Sequence, residues 1–208
     1  MLNLIGIKNI IFDFGGVILN IDFQKTVDAF KKVGLNNFDQ LYSQYSQTDL
    51  FDKLEKGVVE PAAFRDEIRK LSGLNLSDEQ IDTAWNEILL DLPVNRIELL
   101  LKLKNHYNTY LLSNSNIIHY WKYRQNLKDV HGYPDFDTLF KKAWFSFNVG
   151  MRKPDLEIYK CILKNENLLP PETLFIDDSY PNLEAAQQLG MQIYHLQKGE
   201  DITSIFTL

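Results

Sequence analysis

The chain carries one cysteine, Cys161, in 208 residues. A single thiol excludes an intramolecular disulfide and a cysteine-built zinc site. Basic residues are in deficit, 22 Lys+Arg against 28 Asp+Glu, for a formal charge of −6. Without a basic run the chain is a poor match for a nucleic-acid backbone or an anionic membrane surface. No apolar run approaches the roughly 20 residues that a membrane-spanning helix needs. The first residues, MLNLIGIKNIIFDFGG, lack a basic n-region and run straight into a strand-like segment. No signal peptide is therefore expected, and with the lone cysteine this favours a reducing, cytoplasmic setting. His106, His131 and His195 stand at no metal-ligand spacing and read as structural. What is present is ordinary for a globular protein (45% hydrophobic, 24% charged), apart from a rich 12% of aromatics. That is enough to bury the core of one domain, or of one domain with a sizeable insertion.

Lys8–Phe14 (KNIIFDF) is an apolar, β-branched run that stops at Gly15-Gly16, as a buried strand entering a tight turn would. From Phe23 to about Leu90 the pattern is helical. Asp22 is placed to cap FQKTVDAFKKV, and further helices are expected at Asn37–Gln47, Leu50–Lys56 and Pro61–Leu71. Ser77 and Gln80 form a capping box for Asp78–Leu90. From Pro93 helices and strands alternate: helix Val94–Lys104, strand Thr109–Ser113, a helix from about Ile117 leading into a polar, aromatic insertion (Tyr120–Asp137), strand Lys142–Ser146, helix Asp155–Asn165, strand Thr173–Ile176, helix Pro181–Leu189 and strand Gln192–His195. Such alternation argues for an α/β fold, a doubly wound, Rossmann-like parallel sheet covered on both faces. The expected division is a core of 1–17 and 92–208 interrupted by an all-helical insertion, 18–91.

Ligands of open parallel sheets lie beyond the carboxyl ends of the strands. Asp13 and Gly15-Gly16 follow the first strand, and Ser113-Asn114 end the second. The loop NVGMRKPD, with Lys153 before Pro154, follows the third, and Asp177-Asp178 follow the fourth. Converging hard carboxylate oxygens suit Mg²⁺, which takes few protein oxygens plus water and a phosphate. A hydroxyl, a lysine and turn N–H groups suit the phosphate itself.

On the ordered segments IIFDFGGVI, YLLSNSN, GMRKPDLEIY and FIDDSYPNLEAAQQLG, the chain resembles the haloacid dehalogenase-like hydrolase superfamily. Within it, the DxG start and the SNxN and GMRKP segments are similar to a helical-cap subgroup that includes bacterial α-D-glucose-1-phosphate phosphatases. The resemblance implies that 18–91 is a cap. It implies an Mg²⁺-dependent phosphatase of a small phosphorylated metabolite, a sugar phosphate above all, with neither nucleic acid nor membrane as partner. By the same resemblance Asp13 is the nucleophile that forms an aspartyl-phosphate, and Lys153 offsets charge on the phosphate. Mg²⁺ is held by Asp13, the Gly15 carbonyl and Asp178, and Asp177 orients Lys153 or a metal-bound water. Ser113 and the Asn114 N–H bind phosphate oxygens, and Asn116 and His119 are candidates to touch the substrate. One position departs from most family phosphatases: Gly15 stands where they carry a second Asp as general acid and base. That loss hurts least with a good leaving group, such as the anomeric oxygen of a sugar 1-phosphate.

Each residue also has an ordinary role to weigh. Asp13 could cap a turn, Ser113-Asn114 could begin a loop, Lys153 could be solvated, and Asp177-Asp178 could cap the following helix. Asn182 is either a support for metal waters or a surface residue. Asp22 is a candidate replacement acid, although an N-cap role is favoured. Cys161 and the aromatics Phe30, Phe38, Tyr42, Tyr45, Phe51 and Phe64 read as core. The competing functions are a metal-independent 2-haloacid dehalogenase, disfavoured by the paired acids; a catalytically weakened binding module; and, less favoured still, a phosphomutase, which would need the missing acid. The sequence leaves oligomeric state open.

Overall fold

The computed structural model describes residues 2, 4–42 and 49–207. Five strands, β1 (Asn9–Phe12), β2 (Asn108–Ser113), β3 (Lys142–Phe145), β4 (Thr173–Asp177) and β5 (Gln192–His195), form one sheet in the order β3-β2-β1-β4-β5. All four pairings are parallel. Because side chains alternate across a strand, β1 supplies both faces. Ile10 and Phe12 join one apolar cluster and Ile11 the other. Helices α6 (Val94–Leu103), α7 (Ile117–His131) and α11 (Ile202–Ile205) cover the first face, and α9 (Leu156–Asn165) and α10 (Tyr180–Gln188) the second. The one-turn α8 (Ser146–Val149) follows β3 directly. This is the doubly wound, Rossmann-like arrangement that the alternating pattern implied.

Between β1 and α6 lie α1 (Phe23–Lys32), α2 (Phe38–Leu41), α3 (Asp49–Glu55), α4 (Pro61–Ser72) and α5 (Asp78–Asn86), with no strand among the described residues of that stretch. The expected helix Asn37–Gln47 is described only over α2; residues 43–48, and with them Tyr45, lie outside the described residues. The helices enclose a cluster of their own around Phe30, Phe38, Phe51, Phe64 and Trp85, joined from α7 by Ile118. Phe51 stacks on Trp85 at 5.3 Å, and Phe30 on Phe38 at 4.0 Å. Such ring pairs contribute about 0.5–1.5 kcal/mol each beyond area burial. Ser77 and Gln80 do form a capping box. The two segments entering and leaving the helical block pair with each other: Ile21 bridges Leu89, Asp22 N–H donates to Ile88 O (2.9 Å), and Leu90 N–H donates to Asn20 O (2.9 Å).

Two readings are corrected. The stretch from Tyr120 is no irregular insertion but the body of α7, which runs to His131 and ends on Gly132 in the left-handed region. Its inner face (Ile118, Tyr123, Leu127) is buried while polar residues face outward, so the polar composition reflects one exposed side of a helix. The helix from Asp78 stops at Asn86 rather than Leu90, because Ile88, Leu89 and Leu90 are taken up by the paired linker.

Candidate active site

Parallel strands with β1 at the centre bring their carboxyl ends to one edge. The Asp13 N–H continues the ladder to Ile176 O (2.9 Å), so Asp13 stands beside the end of β4, where Asp177 is fully buried. Lys153 reaches in from the loop after α8 and is 1% exposed. Its ammonium donates to Asp13 Oδ1 at 2.5 Å and to Asp177 Oδ2 at 2.8 Å. Asn114 sets the lysine's backbone from both sides: its Nδ2 donates to Lys153 O and its Oδ1 accepts from Lys153 N, each at 2.8 Å. Ser113, at the end of β2, is buried and lines the same cavity, of about 360 Å³, as Gly15, Asn114, Lys153 and His119.

The two neighbouring aspartates differ. Asp177 has both oxygens occupied, Oδ1 by Ser179 N (2.8 Å), Oδ2 by Lys153, and both by Asn182 Nδ2 (3.1 Å each). It therefore positions the lysine, and Asn182 holds Asp177. Asp178 is exposed. Although the residue as a whole is exposed, the protein packed around its carboxyl and the Asp177 charge hold that carboxyl above the usual carboxylate range. Burial also pushes the Asp13 carboxyl up to about 8, Lys153 pulling it down while Asp177 and Asp178 raise it further. For Lys153, burial favours the neutral amine, but Asp13 and Asp177 outweigh it and hold the ammonium above the ordinary lysine range. Three carboxylates thus share one buried cation. Oxygens of Asp13, Asp177 and Asp178 lie within 4.8 Å of one another. A second cation beside Asp13 and Asp178 would let all three ionise, and hard oxygens at this spacing fit Mg²⁺.

The glycine pair divides in the same way. Gly16, at φ +84°, would place a Cβ 2.3 Å from Asp178 Oδ2, so only glycine lets that carboxylate approach the turn. A Cβ on Gly15 would come nearest to the Ile21 side chain, with Cδ1 at 3.2 Å and Cγ2 at 3.6 Å.

Other candidates have structural work. Asp22 caps α1, accepting from Gln24 N at 2.9 Å. Asn116 caps α7, its Oδ1 accepting from Ile118 N and His119 N (3.1 Å each) and from Trp85 Nε1 (3.4 Å). Asn116 is 1% exposed and is not brought to the cavity with His119. The His195 ring lies 3.1 Å from Asp178 O, a backbone contact consistent with a structural role. Cys161 is half-buried rather than buried.

Sequence reasoning passed over Arg152 and Glu55, which both line the cavity. Arg152 donates to Asp52 Oδ1 (2.8 Å) and pairs with Glu55 (3.1 Å), both on α3, while Lys56 pairs with Asp155 at 3.6 Å. Gly57 lies so close to Phe147 O that a Cβ there would stand 2.3 Å from it. The loop carrying Lys153 is thereby fastened to the helical block. The only advance signal was an arginine directly before the lysine.

A family model for haloacid dehalogenase-like hydrolases matches residues 7–190. The chain belongs to that family. It is 34% identical over 200 residues to the D-ribitol-5-phosphate phosphatase of Bacteroides thetaiotaomicron, an alignment covering 94% of each chain. It is 29% identical over 191 residues to the sesquiterpene phosphatase of Aspergillus oryzae, covering 91% of this chain and 89% of that one. A crystal structure of a family enzyme from B. thetaiotaomicron, a single-residue variant in complex with magnesium and inorganic phosphate, superposes with a TM-score of 0.91 at 40% identity, covering 97% of this chain and all of that one. The L-2-haloacid dehalogenase of Xanthobacter autotrophicus shares the fold, at 16% identity and a TM-score of 0.59. Among the described residues, no helix is long and apolar enough to cross a membrane.

Proposed function

We propose that this hydrolase is an Mg²⁺-dependent phosphatase of a small phosphorylated polyol or sugar, working in the cytoplasm through an aspartyl-phosphate on Asp13. The observation that carries the reading is the chain Asp13–Lys153–Asp177 at the ends of adjacent strands, with Asp178 beside it and Gly16 making room. The magnesium- and phosphate-bound neighbour and the phosphatase names of two relatives support it.

In this reading the Asp13 carboxylate attacks phosphorus, the bond to the leaving oxygen breaks, and water then hydrolyses the acyl phosphate to regenerate Asp13. Lys153 holds Asp13 and offsets phosphate charge, and Asp177 fixes Lys153 in turn. Ser113 and the Asn114 N–H bind phosphate oxygens. Asp13, the Gly15 carbonyl and Asp178 would hold Mg²⁺, which supplies charge neutralisation between the carboxylates and the phosphate. Residues 18–91 act as a cap over a core of 1–17 and 92–208, closed through the pairs of Arg152 with Asp52 and Glu55.

The subgroup likeness pointed to a sugar 1-phosphate, whereas the D-ribitol-5-phosphate relative favours a polyol 5-phosphate, whose leaving group is a poorer primary alcohol. The test is turnover of hexose 1-phosphates, pentitol 5-phosphates and prenyl phosphates, with Mg²⁺ and with a chelator. Release of phosphate from a polyol or sugar phosphate only in the Mg²⁺ arm is expected. Equal turnover in both arms, or release of halide from 2-haloacids, overturns the reading.

A further inference from the structure

His119 lies in the first turn of α7, whose start is fixed by Asn116, and it is 8% exposed. It lines the cavity that holds Lys153 and Ser113. Its ring is fixed twice, and both times from α5. The imidazole stacks on Trp85 at 4.8 Å with 15° between planes, and Nδ1 lies 3.0 Å from Asn86 Oδ1. An amide oxygen only accepts, so the proton of the neutral ring belongs on Nδ1 and Nε2 keeps a lone pair. Burial pushes the imidazole down to about 3, so the ring is neutral at physiological pH. A neutral ring adds no charge to attract phosphate. It offers one acceptor, in a cavity whose nearby lysine and serine already serve the anion.

We propose that His119 is a specificity-determining residue whose Nε2 accepts a hydrogen bond from a hydroxyl of the substrate's leaving group, so that the enzyme selects hydroxylated phosphate esters over apolar ones. The assignment rests on the phosphatase reading and deepens it. It also gives the helical block a part in recognition without direct contact, since Asn86 and Trp85 set the tautomer and plane of a ring carried by α7.

The experiment is a substrate–variant cycle. D-ribitol 5-phosphate, its monodeoxy analogues and p-nitrophenyl phosphate are compared on the native protein and on His119→Phe, which keeps the stacked ring and removes the acceptor. In the native protein, one deoxy analogue should lose about 10-fold in kcat/KM relative to D-ribitol 5-phosphate, the scale of one buried hydrogen bond. In His119→Phe that difference should vanish, with KM for D-ribitol 5-phosphate raised and p-nitrophenyl phosphate losing less in kcat/KM than D-ribitol 5-phosphate does. His119→Gln, which restores an acceptor, should recover part of the discrimination. Equal losses on D-ribitol 5-phosphate and p-nitrophenyl phosphate would make His119 merely structural and overturn the proposal. So would a native protein that treats every deoxy analogue alike, a result that needs no variant to fold. A native protein inactive on all phosphate esters would defeat the phosphatase reading and this inference together, whereas the other two adverse results leave that reading standing.

Discussion

Asp177 and Asp178 are adjacent in sequence and, in the proposed reading, have opposite roles, and replacing each with asparagine separates them. Asp177 is fully buried and paired with the buried Lys153 at 2.8 Å. Breaking a buried pair by removing one partner costs about 3–5 kcal/mol, because a charge is left uncompensated. Lys153 would still have Asp13 at 2.5 Å, which puts Asp177→Asn at the lower end. At about 2–4 °C per kcal/mol for a chain of this size, a loss of about 3 kcal/mol lowers the melting temperature by about 6–12 °C. Asp178 is exposed and repelled by Asp177, so Asp178→Asn should leave metal-free stability within about 0.5 kcal/mol of native, or raise it. Magnesium reverses the ranking. A ligand at 100 times its Kd adds about 2.7 kcal/mol, or about 5–11 °C. Native protein and Asp177→Asn should show a rise on that scale, and Asp178→Asn none. Thermal unfolding with chelator and with Mg²⁺ reads both effects. An Asp177→Asn midpoint within 2 °C of native, or an unchanged Mg²⁺ response in Asp178→Asn, would refute the division of labour.

The raised pKa of Asp13, about 8, gives a signed pH dependence. The folded state keeps a proton that the unfolded chain releases near 4, so that stability is complete below about 4 and is lost as pH rises from there to about 8; the metal-free melting temperature should fall between about pH 5 and 8 and level off above, and Mg²⁺ should flatten the fall. Gly16→Ala, at φ +84° and against Asp178, should cost at least about 1–2 kcal/mol and abolish the Mg²⁺ response, while Gly15→Ala should cost under about 1 kcal/mol because only Ile21 must shift; comparable midpoints for the two would contradict this. Asp22→Asn should change stability by under about 1 kcal/mol and leave the dependence of rate on leaving-group pKa intact, since Asp22 caps α1. A loss of about 10²-fold or more confined to poor leaving groups would instead make Asp22 the missing acid.

The three central strands, β2, β1 and β4, and their ends were legible in the sequence because each is a short apolar run closed by a residue of different chemistry: Asp13, Ser113 and Asp177. A parallel sheet buried on both faces forces that pattern. What lay beyond reach were contacts between segments far apart in the chain. Arg152 meets Asp52 across 100 residues, and Asn86 meets His119 across 33; neither pairing leaves a local trace. Asn116 carried two readings from its place opening the helix after Ser113-Asn114: a substrate contact, and the N-cap that an asparagine there favours. Its Oδ1 makes the cap bonds. The paired linker was equally hidden, since Ile88–Leu90 continues a helical apolar spacing that the bridge to Ile21 cuts short.

The proposed mechanism depends on Asp13 becoming phosphorylated. The direct measurement is an acid quench of the native protein during turnover of a ³²P-labelled polyol phosphate in Mg²⁺, followed by peptide mapping. Label on the peptide containing Asp13, lost on treatment with hydroxylamine and absent from a folded Asp13→Asn protein that no longer turns over, is the expected result. Turnover that continues in Asp13→Asn with no labelled protein at any quench time would contradict it, and would mean that water attacks phosphorus directly.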